Sequence, residues 1–253
     1  MNDEKDSATE RVRRAARTPP KLRFYKQVAV GEGGEGFRPL LDAKPVRTPA
    51  RALLSVPSRA LAEAIAEEWR AQGPHIDPAS MPLTRLANTI VDRVVSARGE
   101  IVENLVAYAG ADLVCYRAEA PEGLAARQSE AWDPVLDWAA EECGIRLMRI
   151  VGVMPRAQDN ESLNVFRQAI QNEGDFILGA LADMTHLTGS ALLALAVLRG
   201  RLSAEQAWAA AHVDEDWQIS QWGEDAEASV RRAARFRDMR AAARMAAILN
   251  EAR

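Results

Sequence analysis

The chain has 253 residues, 48% of them hydrophobic, and a formal net charge of −4. That length supports one large or two small domains with a real core, while the acidic balance argues against a general nucleic-acid binder, whose footprint is basic. Two cysteines, Cys115 and Cys143, suit a reducing compartment and carry no metal spacing. With no apolar run of membrane-spanning length, the expectation is a cytoplasmic protein without membrane insertion, metal or cofactor.

Residues 1–21 mix Asp3, Glu4, Asp6 and Glu10 with Arg11, Arg13, Arg14 and Arg17, and close on Pro19-Pro20. They read as a disordered polar tail, since signal regions are apolar and transit peptides avoid acids. Residues 22–57 are short β-branched or aromatic runs broken by Gly, Pro and Asp, and Pro39, Pro45, Pro49 and Pro57 confine them to sheet edges. Twisted antiparallel hairpins are predicted. The run GEGGEG (31–36) matches a dinucleotide fingerprint, yet no helix can follow it, and Glu32 and Glu35 would repel phosphate; a hairpin loop is the better reading.

From Ser58 the apolar period becomes helical. Residues 58–72 have a capping serine and a stripe of Leu61, Ile65 and Trp69, which makes Trp69 a structural residue. Helix continues over 82–97 and 99–109. Residues 112–117 alternate like a strand and 145–153 do so less clearly. Between them 128–142 carries Trp132, Leu136 and Ala139 at helical spacing, with Trp132 and Trp138 as further structural residues. Asp133 and Asp137 could form an acid–base pair, but a capped helix start is preferred. Asp183 and His186 lie one turn apart without the third ligand of a metal site.

Everything from residue 161 onward reads as helix, with turns near Gly174, Gly189, Gly200 and Gly223. The run 190–198 is a buried core helix. Ser203 with Gln206 opens a predicted helix over 204–222, which puts Trp208, His212, Glu215, Ile219 and Trp222 on one face and Ala210, Val213 and Trp217 on the other. One face serves the core; the other calls for a neighbour or a partner, because Glu215 would sit badly in an apolar contact without a counter-charge. The last helix starts acidic and turns basic, following the helix dipole. The fold class is therefore α+β, a small β-rich N-terminal unit of antiparallel hairpins followed by a larger helical bundle. The expected division is a tail over 1–21, a β-rich domain with flanking helices over 22–98, and a mainly helical domain over 99–253.

A resemblance rests on several segments taken together. RFYK (23–26), LDAKPVRTPA (41–50), AIAEEWRAQG (64–73), MPLTRLA (81–87), DLVCYR (112–117), QSEAWDPVLDW (128–138) and VDEDWQISQWGED (213–225) occur in order over nearly the whole chain after the tail. The chain resembles the assembly chaperones of the F-type ATP synthase that bind its free α subunit. Mitochondrial relatives carry a targeting segment that is not expected here, and a hairpin turn expected as Asp-Gly is Asp42-Ala43. The resemblance implies a non-enzymatic holdase whose partner is the free α subunit, covering the surface that later meets β. It maps onto Asp214, Glu215, Gln218, Trp222 and Gly223 as the partner-binding set. A small-molecule enzyme working through Asp183/His186 or Asp133/Asp137, and an RNA-binding protein working through the last helix, are the alternatives.

Overall fold

The computed structural model describes residues 21–34, 36–152 and 154–252, so the expected tail lies, Lys21 apart, outside the described residues. Strands β1 (Val28–Gly33) and β2 (Gly36–Leu41) form an antiparallel hairpin with Val28 opposite Leu41 and Gly33 opposite Gly36. Strand β3 (Lys44–Pro45) extends the sheet on the far side of β2. Gly33, Gly34 and Gly36 of the GEGGEG run lie at the tip of this hairpin. Elsewhere in 22–57 pairing shrinks to isolated bridges, Leu22 with His75, Phe37 with Val56 and Arg47 with Leu53, because the prolines withhold the donors a longer ladder needs.

Ser58 caps α1 (Arg59–Arg70) by accepting a hydrogen bond from the Leu61 amide, and Leu61 and Ile65 are fully buried beneath the sheet. Helices α2 (Pro82–Thr89) and α3 (Val95–Gly110) are joined through one wide π-type turn, Ile90–Val94. The boundary expected at 98/99 falls inside α3, just after Ala97, whose φ/ψ of −113°/18° is non-helical.

Residues 112–117 depart from the predicted strand. Leu113–Cys115 is a 3-10 turn, and only Tyr116–Arg117 is extended, as β4. The Asp112 carboxylate accepts from the Val114 amide at 3.2 Å, a local bond that competes with a sheet ladder. Strand β5 (Ile150–Val151) pairs with β4 in parallel. Helix α4 spans Glu122–Glu142, so Asp133 and Pro134 lie mid-helix and not at a capped start. Proline inside a helix forfeits one backbone hydrogen bond; here Pro134 sits on the exposed side, while Trp132, Val135, Leu136 and Trp138 around it are buried.

The rest is helical, as expected: α5 (Asn160–Ile170), α6 (Asp175–Thr188), α7 (Ala191–Leu198), α8 (Ala204–Ala211), α9 (Val213–Trp222) and α10 (Ala226–Glu251). The capping box at Ser203 and Gln206 is present, but the single helix expected over 204–222 is two. His212 takes φ/ψ of −114°/21° between them. Its ring Nδ1 lies 2.7 Å from the Trp208 carbonyl, the group that would otherwise receive the His212 amide, and that amide bonds to Ala209 O at 3.2 Å instead.

Helix α7 is buried on nearly every side and sits at the centre of the bundle, against α6, α4 and α8. Helix α6 reaches the π-type turn at Gly179, where a Cβ would lie 2.4 Å from Ile90 Cγ1. One hydrophobic cluster joins Tyr25 and Leu41 of the N-terminal unit to Met245 and Leu249 of α10. Among the described residues no helix is long and apolar enough to cross a membrane.

Candidate functional site

The distinctive sequence segments of the N-terminal half interlock. Tyr25 Oη donates to the Trp69 carbonyl at 2.7 Å and packs its ring edge-on against Trp69 at 5.6 Å. Arg23 donates to Gln72 O at 2.6 Å. Gln72 Nε2 donates to Glu68 O and Ser80 Oγ, and its Oε1 accepts from the Asp77 amide. Glu68 reaches from α1 to the start of α2, accepting from the Leu83 and Thr84 amides at 2.8 and 2.7 Å and from the Thr84 hydroxyl at 2.6 Å. Burial nevertheless raises its pKa. Trp69 itself is half-buried, and its Nε1 is enclosed without a partner among the described residues. These groups hold the scaffold together.

Helix α4 does the same for the C-terminal half. Trp132, 1% exposed, donates from Nε1 to Ala210 O at 2.7 Å. Trp138 is buried nearby. Arg117 is buried over the Trp132 ring, 4.9 Å from its centroid, and donates to Asp133 at 2.6 Å. Arg149 bonds both Asp133 and Asp137, at 2.9 and 2.5 Å. Burial acts to raise the Asp133 pKa, but the two guanidinium groups outweigh it and the net shift is downward. Asp133, with its pKa held down by two guanidinium groups, offers no proton donor near neutral pH. Gln128 links the Ala118 amide to Asp214 Oδ1, both at 2.7 Å, and so ties α4 to α9.

All five residues expected to bind a partner line one cleft, about 600 Å³ in volume, between α9 and the first turns of α10. Gly223 creates it: φ of +86° ends α9 in a conformation that glycine adopts without strain, and the chain reverses into Asp225, which caps α10 through the Ala228 amide. Asp214 is engaged by Gln128. Glu215 is different. Its side chain is 59% exposed, and its nearest basic atom is His212 Nε2 at 4.0 Å. Burial lowers the His212 pKa, so that ring is neutral near pH 7 and gives Glu215 no counter-charge. Gln218 makes no side-chain hydrogen bond among the described residues, and Trp222 is 84% exposed. The facing arginines are occupied, Arg232 with Asp216 at 2.5 Å, Arg231 with Glu227, and Arg235 with Leu187 O. Ile219, which helical spacing places on the face of Glu215 and Trp222, also lines the cleft, whereas Glu224 was not read as part of it from sequence and joins only through the reversal at Gly223. Trp217, on the other face, packs inward against Gly123 and stacks with Arg127 at 4.9 Å.

The other chemical candidates do not assemble. His186 is exposed, and Asp183 is half-buried beside Asp238, which pairs with Arg85. Among the described residues no group of three or more His, Cys, Asp or Glu could hold a metal ion. Cys115 is buried with its thiol pKa pushed up to about 12, which leaves no thiolate for nucleophilic work.

Fold and cleft together define an α+β scaffold that carries an open, aromatic and acidic surface on its C-terminal helices. Residues 22–140 match the family profile of the ATP12 chaperone protein. The crystal structure of Atp12 from Paracoccus denitrificans superposes with a TM-score of 0.84 at 42% identity, over 89% of this chain and 97% of the other. The Atu1473 protein of Agrobacterium tumefaciens does so with a TM-score of 0.88 at 45% identity, over 97% of this chain and 92% of the other. The chain belongs to the ATP12 family of chaperones for ATP synthase assembly.

Proposed function

We propose that this chaperone holds the free α subunit of the F-type ATP synthase in the cytoplasm, without catalysis, and shields the surface that later meets the β subunit. The cleft between α9 and α10 is the contact. The observation that carries this reading is Trp222, 84% exposed beside Glu215 and Gln218. A large aromatic left in water next to an exposed carboxylate without an arginine or lysine ion pair suits a surface meant to be covered. In this reading Glu215 meets an Arg or Lys of the partner, Trp222 supplies desolvated area, and Gln218 supplies an adaptable hydrogen bond. Asp214 and Gly223 act by placement, Asp214 through Gln128 and Gly223 through the chain reversal.

The test is capture of free α subunit by the Glu215→Lys chain, run beside a thermal melt. Capture should fall at least about tenfold, since breaking a desolvated charge pair costs roughly 2 kcal/mol or more. The melt should be unchanged, because the side chain is exposed. Undiminished capture would remove Glu215 from the contact; capture lost together with the fold would make it a structural residue.

A further inference from the structure

A second cleft, about 840 Å³, separates the middle of α10 from the turn that leads into α2. One wall is Arg237, Arg240 and Arg244, which at 1.5 Å per residue distribute three guanidinium groups along roughly 10 Å of helix. Leu83 and Ala241, both buried, form an apolar floor. The opposite wall holds two carboxylates, each accepting from backbone amides. Glu68 accepts three hydrogen bonds from Leu83 and Thr84, and Asp77 accepts from the Ala79 amide at 3.0 Å. Two of the three arginines hold only solvent-exposed ion pairs, which an incoming carboxylate can exchange, and Arg244 also feels the charge of Glu68. Arg240 lies 3.6 Å from Glu205 and Arg244 meets Glu67 at 3.0 Å, all four side chains more than half exposed. Arg237 has neither an ion pair nor a hydrogen bond among the described residues.

We propose that this groove docks an extended acidic polypeptide segment of a partner. Side chains on one side of a strand recur about every 6.7 Å, so two carboxylates at alternate positions fall within reach of three arginines spread over roughly 10 Å. Guanidinium groups meet carboxylates in paired hydrogen bonds, which favours this geometry over diffuse attraction. The apolar floor suits the intervening side chains. Single-stranded RNA fits less well: the groove has no aromatic ring on which a base could stack, and the chain is acidic overall. None of the α9/α10 cleft residues lies here, so this site stands or falls independently of α-subunit binding there.

The experiment uses the full chain and a short fluorescein-labelled peptide of alternating Glu and Ala, followed by anisotropy. Binding should weaken from low to physiological ionic strength. It should weaken by about tenfold or more in Arg237→Glu/Arg240→Glu. A control with the same change of charge elsewhere, Arg156→Glu/Arg201→Glu on exposed sites, should stay within about twofold of the unsubstituted chain. If the first double variant melts early, Arg237→Gln/Arg240→Gln takes its place. Binding unchanged in the groove variant, or reduced equally in the control, overturns the proposal. Displacement of the peptide by single-stranded RNA at lower concentration than by unlabelled peptide overturns it in favour of a nucleic-acid site.

Discussion

Trp69 shows how a residue's surroundings decide the cost of changing it. Its ring is half-buried, packs against Tyr25, and sits one position after the carboxylate that caps α2. Trp69→Arg should cost about 3 kcal/mol, the low end for losing a large aromatic because the ring is not fully enclosed. A denaturant midpoint equal to that of the unsubstituted chain would contradict this. Asp183 poses the opposite case. Burial and then the like charge of Asp238 push its pKa up to about 6, above the ordinary 3.8. Between those values the folded chain keeps a proton that the unfolded chain has released, so stability is full below the window, falls as pH rises through it, and stays lower above. Asp183→Asn should therefore gain about 1 kcal/mol above pH 6, after discount for partial exposure, and nothing in acid. Asp112, also raised to about 6 by burial, keeps its own share of the slope. An Asp183→Asn chain whose urea midpoints track those of the unsubstituted chain across this range would defeat the assignment. Apolar period could point to buried Trp132 and Trp138, because it records what an element buries. It could not separate Asp214, held by Gln128 of another helix, from Glu215, which makes no ion pair with an arginine or lysine.

At the level of elements, helices were legible and their interruptions less so. Ser58, Ser203 and the glycine turns announce themselves through side chains that cap locally. The break at His212 and the 3-10 turn after Asp112 depend on one side chain competing for a backbone group, which periodicity does not register. The turn between β2 and β3 was legible in a further sense. Asp42 and Ala43 both take positive φ, 47° and 65°, the geometry of a two-residue hairpin that favours Asn-Gly or Asp-Gly. Asp42 secures it by accepting from the Lys26 and Gln27 amides. Ala43 gains no such compensation, so Ala43→Gly should stabilise the chain by about 1 kcal/mol, the cost of a Cβ in the left-handed region. A lower melting temperature for that variant would show the turn is not strained.

Across the whole molecule, a change of period at Ser58 correctly divided hairpins from helices, yet it carried no information about how the two parts share a core. The cluster running from Tyr25 to Leu249, and links such as Arg244 to Glu67 and Arg85 to Asp238, predict one cooperative unfolding transition. Far-ultraviolet circular dichroism and tryptophan emission should give coincident denaturation curves. Two separated transitions would favour independent units divided near residue 98.

The wide turn at Ile90–Val94 has a consequence for rotational phase. A π-type turn holds one residue more than an α-turn, and one residue is about 100° of helical rotation. Upstream of the turn, α2 presents Thr84 to Glu68 and Arg85 to Asp238; downstream, past the non-helical Ala97, α3 buries Val102, Leu105 and Val106. The extra residue and the break at Ala97 together let α2 and α3 meet two different sets of neighbours, and Gly179 of α6 leaves the space in which the swollen turn sits.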